Sequence, residues 1–300
     1  MRFFSPLTQI AAATALALLA GCATPTGTTD PQSGAASGTP TVRIQQIRNA
    51  TLKIEYAGTR FLVDPMLAKK GAYPGFPGTY NSELRNPLVE LPLPLDEVMR
   101  ADAVIVTHTH LDHWDDAAKQ SLPKSIPVFA QNETDAQAIR KDGFTDVRVL
   151  GAATEFKGVR LTRTGGQHGS DAMMVSPAGA LLGQVSGIVF QRPGHKTVYI
   201  AGDTIWRPEV DQAIWTYQPD VIVLNTGYAR LQGFDGSIIM GKDDLSRAYQ
   251  AAPRASIIGS HMEAVNHMMQ SRADLRAHIK ANGMDAQRVL VPEDGQAYQF

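Results

Sequence analysis

The chain has 300 residues, with 28 Lys and Arg against 29 Asp and Glu and a formal net charge of -1. Ordinary hydrophobicity at this length indicates a soluble globular protein with room for one large α/β domain. The near-neutral balance and the lack of any basic stripe exclude a nucleic-acid footprint.

In chain order, the first forty residues stand apart from the fold. Arg2 supplies a positive start, and the apolar run from Ile10 to Ala20 is too short to span a bilayer comfortably. It ends in Leu19-Ala20-Gly21-Cys22, which resembles a bacterial lipobox, so residues 1–21 are expected to be a lipoprotein signal peptide with Cys22 as the lipid-bearing mature N-terminus. Cys22 is the only cysteine, which leaves no disulfide within the chain and no thiolate ligand elsewhere. Residues 22–40 are rich in Thr, Gly, Ser, Pro and Ala and read as a flexible tether. The implied address is the cell envelope, lipid-anchored through Cys22. Ala23 after the cysteine resembles the pattern passed on to the outer membrane, facing the periplasm.

From residue 41 the pattern becomes that of a folded domain reaching to residue 300. Strands are expected over 42–47, 52–56 and 61–63, an antiparallel opening that ends at Asp64-Pro65. Residues 66–95 hold five prolines with Tyr73, Phe76 and Tyr80; a loop of this length is usually functional, and its place before the next motif makes it a candidate lid. A short helix at 96–100 leads to a strand over 103–106, followed by a helix near 115–120, a strand over 128–130, a helix capped by Asn132 or Thr134, and a strand near 147–150. Strands are expected to dominate from 159 to 200. Helices near 209–216, 242–251 and 272–281 then alternate with strands over 221–224, 256–258 and 288–291. Two β-rich stretches, each followed by helix–strand units, predict two packed sheets with helices outside.

The strand over 103–106 runs directly into His108-Thr109-His110-Leu111-Asp112-His113, which places three of the chain's eight histidines within six residues. Imidazole and carboxylate together suit zinc, iron, nickel or manganese. In an extended segment alternate side chains point the same way, so His108 and His110 can grip one ion while Asp112 and His113, past the turn, face a second. Further candidates sit where strands end: His168 in Gly165-Gly166-Gln167-His168-Gly169, Asp203 in Ala201-Gly202-Asp203-Thr204, and His261 after Ile257-Ile258-Gly259-Ser260.

This series, in this order, resembles the metallo-β-lactamase-fold superfamily over residues 41–300, with Asp64 similar to the structural aspartate beneath its metal loop. Within it the chain looks closest to the branch of L-ascorbate-6-phosphate lactonase-like and N-acyl-phosphatidylethanolamine phospholipase D-like proteins. That likeness rests on Phe61-Leu62-Val63-Asp64-Pro65, Gly202-Asp203-Thr204 and His261-Met262-Glu263-Ala264-Val265-Asn266-His267. The resemblance implies a four-layer αββα sandwich with the site along one edge of the sheets. It implies two divalent metal ions, zinc foremost with Mn, Fe or Ni as alternatives. His108, His110 and His168 would hold the first, Asp112, His113 and His261 the second, and Asp203 would bridge. The antibiotic-degrading members often use a cysteine at the second metal and lack the bridging aspartate; here Cys22 lies in the leader and Asp203 is present, which sets the chain apart from them.

Of the other histidines, His267 is four residues from Glu263 and would share a helical face with it near the site, as a substrate-contacting or supporting group. His195, in a Pro-Gly turn, and His278, on an amphipathic helix, are expected to be solvated. The expected chemistry is hydrolysis of an ester, lactone or phosphodiester by a metal-bound hydroxide, with Asp112 orienting it and carrying a proton to the leaving group. The substrate would be a small or lipid-derived molecule, met by Tyr73, Phe76, Tyr80, Trp114 and Trp206. An iron-dependent oxidoreductase of the same fold and a non-catalytic, lipid-anchored binding protein are the alternatives.

Overall fold

The computed structural model describes residues 42–300; the expected signal peptide and tether lie outside them. The first sheet uses β1 (Val42–Arg48), β2 (Thr51–Tyr56), β3 (Thr59–Val63), β4 (Ala103–Val106), β5 (Val128–Ala130) and β6 (Val147–Val149). The second uses β7 (Thr154–Phe156), β8 (Val159–Thr164), β9 (Gly187–Gln191), β10 (Val198–Ile200), β11 (Val221–Asn225), β12 (Ser256–Ser260) and β13 (Val289–Leu290), while β14 (Ala297–Gln299) returns to the first. The sheet orders are β14-β1-β2-β3-β4-β5-β6 and β13-β12-β11-β10-β9-β8-β7. In the first, β1 to β3 are antiparallel and β3 to β6 parallel; in the second, β7 to β10 are antiparallel and β10 to β13 parallel.

Period-2 alternation sorts each strand between two cores. Ile54, Phe61, Val63 and Ile105 of one sheet meet Phe190, Ile200, Val223 and Ile258 of the other. The alternate residues Leu62, Val104 and Val106 face outward onto helices α1 (Leu95–Val98), α2 (Asp116–Ser121) and α3 (Glu133–Lys141). On the far side Tyr199, Ile222, Leu224 and Ile257 pack under α6 (Pro208–Tyr217), α7 (Lys242–Ala251) and α8 (Arg272–Ala281). The result is the four-layer αββα arrangement. Strands covered on both faces, such as β4 and β11, are buried along their whole length.

The expected helix ends have visible causes. Asp115 caps α2 by accepting from Ala118 N, Asn132 rather than Thr134 caps α3, and Ser271 with Asp274 forms a capping box on α8. The segment between 159 and 200 differs from expectation: after β8 come two short helices, α4 (Asp171–Met174) and α5 (Pro177–Leu182), before β9. Helices of four and six residues carry too few turns to display an apolar period, and only Ser170, Ser176 and Pro177 mark their starts.

Candidate metal centre

The strand ends of both sheets gather their polar residues at one edge. Asp64 follows β3 with φ of 46° and sits beside β4 through Asp64 N donating to Ile105 O at 2.9 Å. Its carboxylate accepts from Thr107 N and Thr107 Oγ1, each at 2.7 Å, and from His113 Nδ1 at 2.9 Å. Thr107 Oγ1 in turn accepts from His108 Nδ1 at 3.2 Å. One buried aspartate therefore orients two imidazoles, through His113 Nδ1 directly and His108 Nδ1 by way of Thr107, and turns both Nε2 atoms inward. The chain then turns, with His113 N and Trp114 N both donating to His110 O, which swings Asp112 and His113 away from His108 and His110.

The remaining rings are steered in the same way. His168 Nδ1 donates to Ile238 O at 2.8 Å and His110 Nε2 to Leu181 O at 2.9 Å, so His168 offers Nε2 to the interior and His110 offers Nδ1. Asn225, at the end of β11, donates to Asp203 Oδ1 at 2.6 Å and aims Oδ2 at the centre. Asn49 holds the Asp112 loop by donating to Asp112 O at 2.9 Å.

The structure brings all seven sequence-predicted ligands together in two groups. His108, His110 and His168 form one; Asp112, His113, Asp203 and His261 form the other; within each, the ligand atoms lie within 4.8 Å of one another. Asp203 Oδ2 lies 3.1 Å from His113 Nε2, 3.4 Å from His261 Nε2, 3.8 Å from His168 Nε2 and 3.9 Å from His108 Nε2, so one oxygen faces both groups. Asp112 Oδ2 is 3.4 Å from His261 Nε2.

The electrostatics fit a cation. Burial opposes charge at Asp203, yet the His113 and His261 imidazoles hold its carboxyl well below the usual range. Burial likewise opposes a charged His113, but Asp203, Asp112 and Asp64 hold it well above the ordinary imidazole value. In the first group burial, with the His113 and His110 rings beside it, keeps His108 well below that value. His108 Nε2 faces His110 Nδ1, and His113 Nε2 faces His261 Nε2, each at 3.0 Å. Ring nitrogens and carboxylates buried this closely need positive charge shared between them, which a proton supplies at His113 and a metal ion would supply to both groups. The all-nitrogen and oxygen donor set suits zinc and the other borderline divalent metals.

A cavity of about 300 Å³ opens over these groups, with His110, Asp112, His168 and Asp203 in its floor. Phe76, Pro77, Leu181, Leu182, Leu231 and Ile238 give it apolar walls, Thr79 and His267 complete it, and among the described residues no Lys or Arg lines it. His267 is buried, which pushes its imidazole down to about 4 and keeps it neutral. Glu263 points elsewhere, to Arg272 N at 3.0 Å and Arg272 Nη1 at 2.5 Å, so the expected shared helical face does not form. Of the other aromatics named from sequence, Trp114 packs on Phe144 in the outer core, Trp206 bonds Asp211, Tyr73 accepts from Ala117 N and Tyr80 lies under Arg230, and none of the four lines the cavity.

The 66–95 loop is clamped rather than free. Asn266 Oδ1 accepts from Phe76 N at 3.1 Å and Asn86 Nδ2 at 2.8 Å, and its Nδ2 donates to Thr79 Oγ1 at 2.8 Å and Tyr80 O at 2.7 Å. Asn49, Asn225, Asn266 and the α5 carbonyl of Leu181 escaped the sequence reading. Asn225 had a signal, a polar residue closing the apolar run 221–224; the others are joined only by long-range contacts.

Comparison with known proteins agrees with this geometry. The model of the "Beta-lactamase superfamily domain" matches residues 59–262. The UPF0173 protein YddR of Bacillus subtilis (strain 168) is 47% identical over 260 residues, covering 86% of this chain and 100% of its own. The UPF0173 metal-dependent hydrolase of Korarchaeum cryptofilum is 27% identical over 210 residues, covering 70% of this chain and 86% of its own. Among solved structures, a possible metal-dependent hydrolase from Veillonella parvula DSM 2008 superposes with a TM-score of 0.85 at 46% identity, over 86% of this chain and 99% of that one. The isothiocyanate hydrolase from Delia radicum gut bacteria gives 0.83 at 45% identity, with the same coverage of 86% and 99%.

Proposed function

The chain is a metallohydrolase belonging to the metallo-β-lactamase superfamily, in its UPF0173 family of metal-dependent hydrolases, and from that premise we propose that it hydrolyses small, uncharged, apolar electrophiles, isothiocyanates first among them. The single observation that carries this reading is the cavity: apolar walls without a cationic side chain, set directly over the His/Asp cluster. A phosphodiester would bring negative charge into a space with no Lys or Arg to receive it, so that member of the ester, lactone and phosphodiester set is disfavoured. The 45% identity to an isothiocyanate hydrolase over 99% of that chain supports the heterocumulene class in particular.

His108, His110 and His168 would hold one metal ion and Asp112, His113 and His261 a second, with Asp203 shared and zinc the first choice. Bound there, divalent ions lower the pKa of a water toward about 7 and polarise the electrophile. Asp112, at the cavity floor beside His261, accepts a hydrogen bond from the attacking water and orients it. Asn225 holds Asp203 so that its free oxygen stays between the groups. Phe76, Leu181 and Ile238 exclude bulk water and hold the apolar substituent. For an isothiocyanate the balance is R–N=C=S + H2O → R–NH2 + COS. The water oxygen bonds the central carbon, both water protons end on nitrogen, and the C–N bond breaks.

The experiment is turnover of benzyl isothiocyanate, a γ-lactone, a phosphodiester and a β-lactam by zinc-loaded protein, each beside Asp112→Asn. Isothiocyanate turnover lost in Asp112→Asn is expected; phosphodiester turnover exceeding it would reverse the substrate assignment. The envelope address is likewise a proposal, resting on the lipobox-like run ending at Cys22. Labelled palmitate should enter the wild-type chain in cells and not Cys22→Ser; label in both, or in neither, would remove the anchor from the account.

A further inference from the structure

The cavity contains one polar side chain that neither the ligand groups nor the loop clamp uses. Thr79 Oγ1 is committed, donating to Phe76 O at 2.6 Å and accepting from Asn266 Nδ2 at 2.8 Å. His110 Nε2 is taken by Leu181 O. His267, by contrast, makes no side-chain hydrogen bond among the described residues, although only 7% of it is exposed. Its ring stands at 90° to Phe76 with centroids 5.2 Å apart, and Phe76 is fixed through its backbone to the neighbouring Asn266. The ring is therefore packed in place while its polar capacity is unspent, and a buried polar group without a partner in a native fold calls for a physical reason.

The two ring nitrogens are not equivalent. Nδ1 is sealed from solvent and has no partner, which leaves Nε2 as the nitrogen that can meet a ligand in the cavity. Orphaned buried N–H groups are rarer in native folds than under-satisfied acceptors, and a proton on the sealed Nδ1 could never find a partner, so the proton belongs on Nε2. A neutral donor in an apolar, water-poor cavity adds little to holding an uncharged substrate and much to stabilising charge that develops during reaction.

We propose that His267 is a catalytic residue whose Nε2–H donates a hydrogen bond to the substrate nitrogen that gains negative charge as water adds to the central carbon. This rests on the isothiocyanate reading. The imidazole keeps its proton throughout; the two protons that finish on the amine come from water, so His267 leaves the cycle unchanged.

The test uses wild type, His267→Phe and His267→Gln, each loaded with zinc and matched for metal content and melting temperature. Phenylalanine keeps the ring packed against Phe76 and removes the donor, while glutamine keeps an N–H. His267→Phe is expected to lower kcat for benzyl isothiocyanate about 100- to 1000-fold with KM changed by less than about 3-fold, and His267→Gln to recover at least about tenfold of that loss. Nitrogen NMR of the metal-free wild type should report a protonated Nε2 and a bare Nδ1 at His267. His267→Phe within about 3-fold of wild-type kcat, equal loss in both variants, or the opposite tautomer would overturn the donor role alone. A wild type that leaves isothiocyanates untouched would overturn the substrate reading and this role with it.

Discussion

Replacing Asn266 by alanine should loosen the cavity wall while leaving the metal groups formed. The side chain makes four hydrogen bonds, to Phe76 N, Asn86 Nδ2, Thr79 Oγ1 and Tyr80 O, at 3.1, 2.8, 2.8 and 2.7 Å. At about 1 kcal/mol net for each, an unyielding loop would lose about 4 kcal/mol. The 66–95 loop has no regular element over most of its length and can rehydrate its freed groups, so a loss of about 2–3 kcal/mol is expected, or about 5–10 °C in melting temperature. Thermal unfolding reads that loss directly, and limited proteolysis should show new cleavage between Tyr73 and Leu84. KM for benzyl isothiocyanate should rise more than kcat falls, because Phe76 and Pro77 shape the wall while the ligand groups hang on other elements. Unchanged melting and unchanged cleavage would refute the argument that this one amide docks the loop.

Arg272 is buried and meets Glu263, Asp294 and Pro292 O, so Arg272→Ala should cost about 3–5 kcal/mol in urea unfolding by leaving Asp294 without its partner. A loss below about 1 kcal/mol would mean that the freed carboxylates are solvated. Asp64→Asn, which weakens the hold on both His108 and His113, should reduce zinc affinity about 10- to 100-fold at little cost in melting temperature; unaltered affinity would remove Asp64 from the ligand-orienting role. Asp102 ties Arg60 of β3 to Lys157 in the turn between β7 and β8; burial is the largest single influence and raises its pKa, but the hydrogen bonds from Lys157 and Arg60 together bring it down to about 2. A depressed carboxyl stabilises the fold above its unfolded value and loses that contribution as pH falls from 3.8 toward 2. Its partners Arg60 and Lys157 are about half exposed, so the pairing is screened to about 0.5–1 kcal/mol; Asp102→Asn should flatten the acid limb of the stability curve by that amount, and an unchanged limb would discount the pair.

Much of this organisation is legible in the chain because it is local. The opening strands, the apolar run before His108, and the helices 242–251 and 272–281 announce themselves through period and caps, and the structure places α7 and α8 at those bounds. The ligand types are legible too, since imidazoles and carboxylates at strand ends have few other uses. The rest depends on contacts that sequence spacing conceals. Nothing local says that Asn266 faces Asn86, 180 residues away, or that β14 pairs with β1 at Arg43↔Gln299. The loop read as a candidate lid thus becomes a clamped wall, and α4 and α5 appear where strands were expected because so short a helix shows no period. The sequence points to His267 through a helical pairing with Glu263, which instead bonds Arg272. The structure keeps its place at the site for a different reason, the packing of its ring against Phe76 above the cluster.

If the two His/Asp groups form a two-metal hydrolytic centre, as we propose, activity must follow metal loading. The direct measurement is isothiocyanate hydrolysis by chelator-stripped protein during stepwise addition of zinc. We expect no rate without metal, a rise that saturates at two equivalents, and no rise in Asp112→Asn. Full hydrolysis by the stripped protein, or saturation of binding at two equivalents without turnover of any offered substrate, would contradict it.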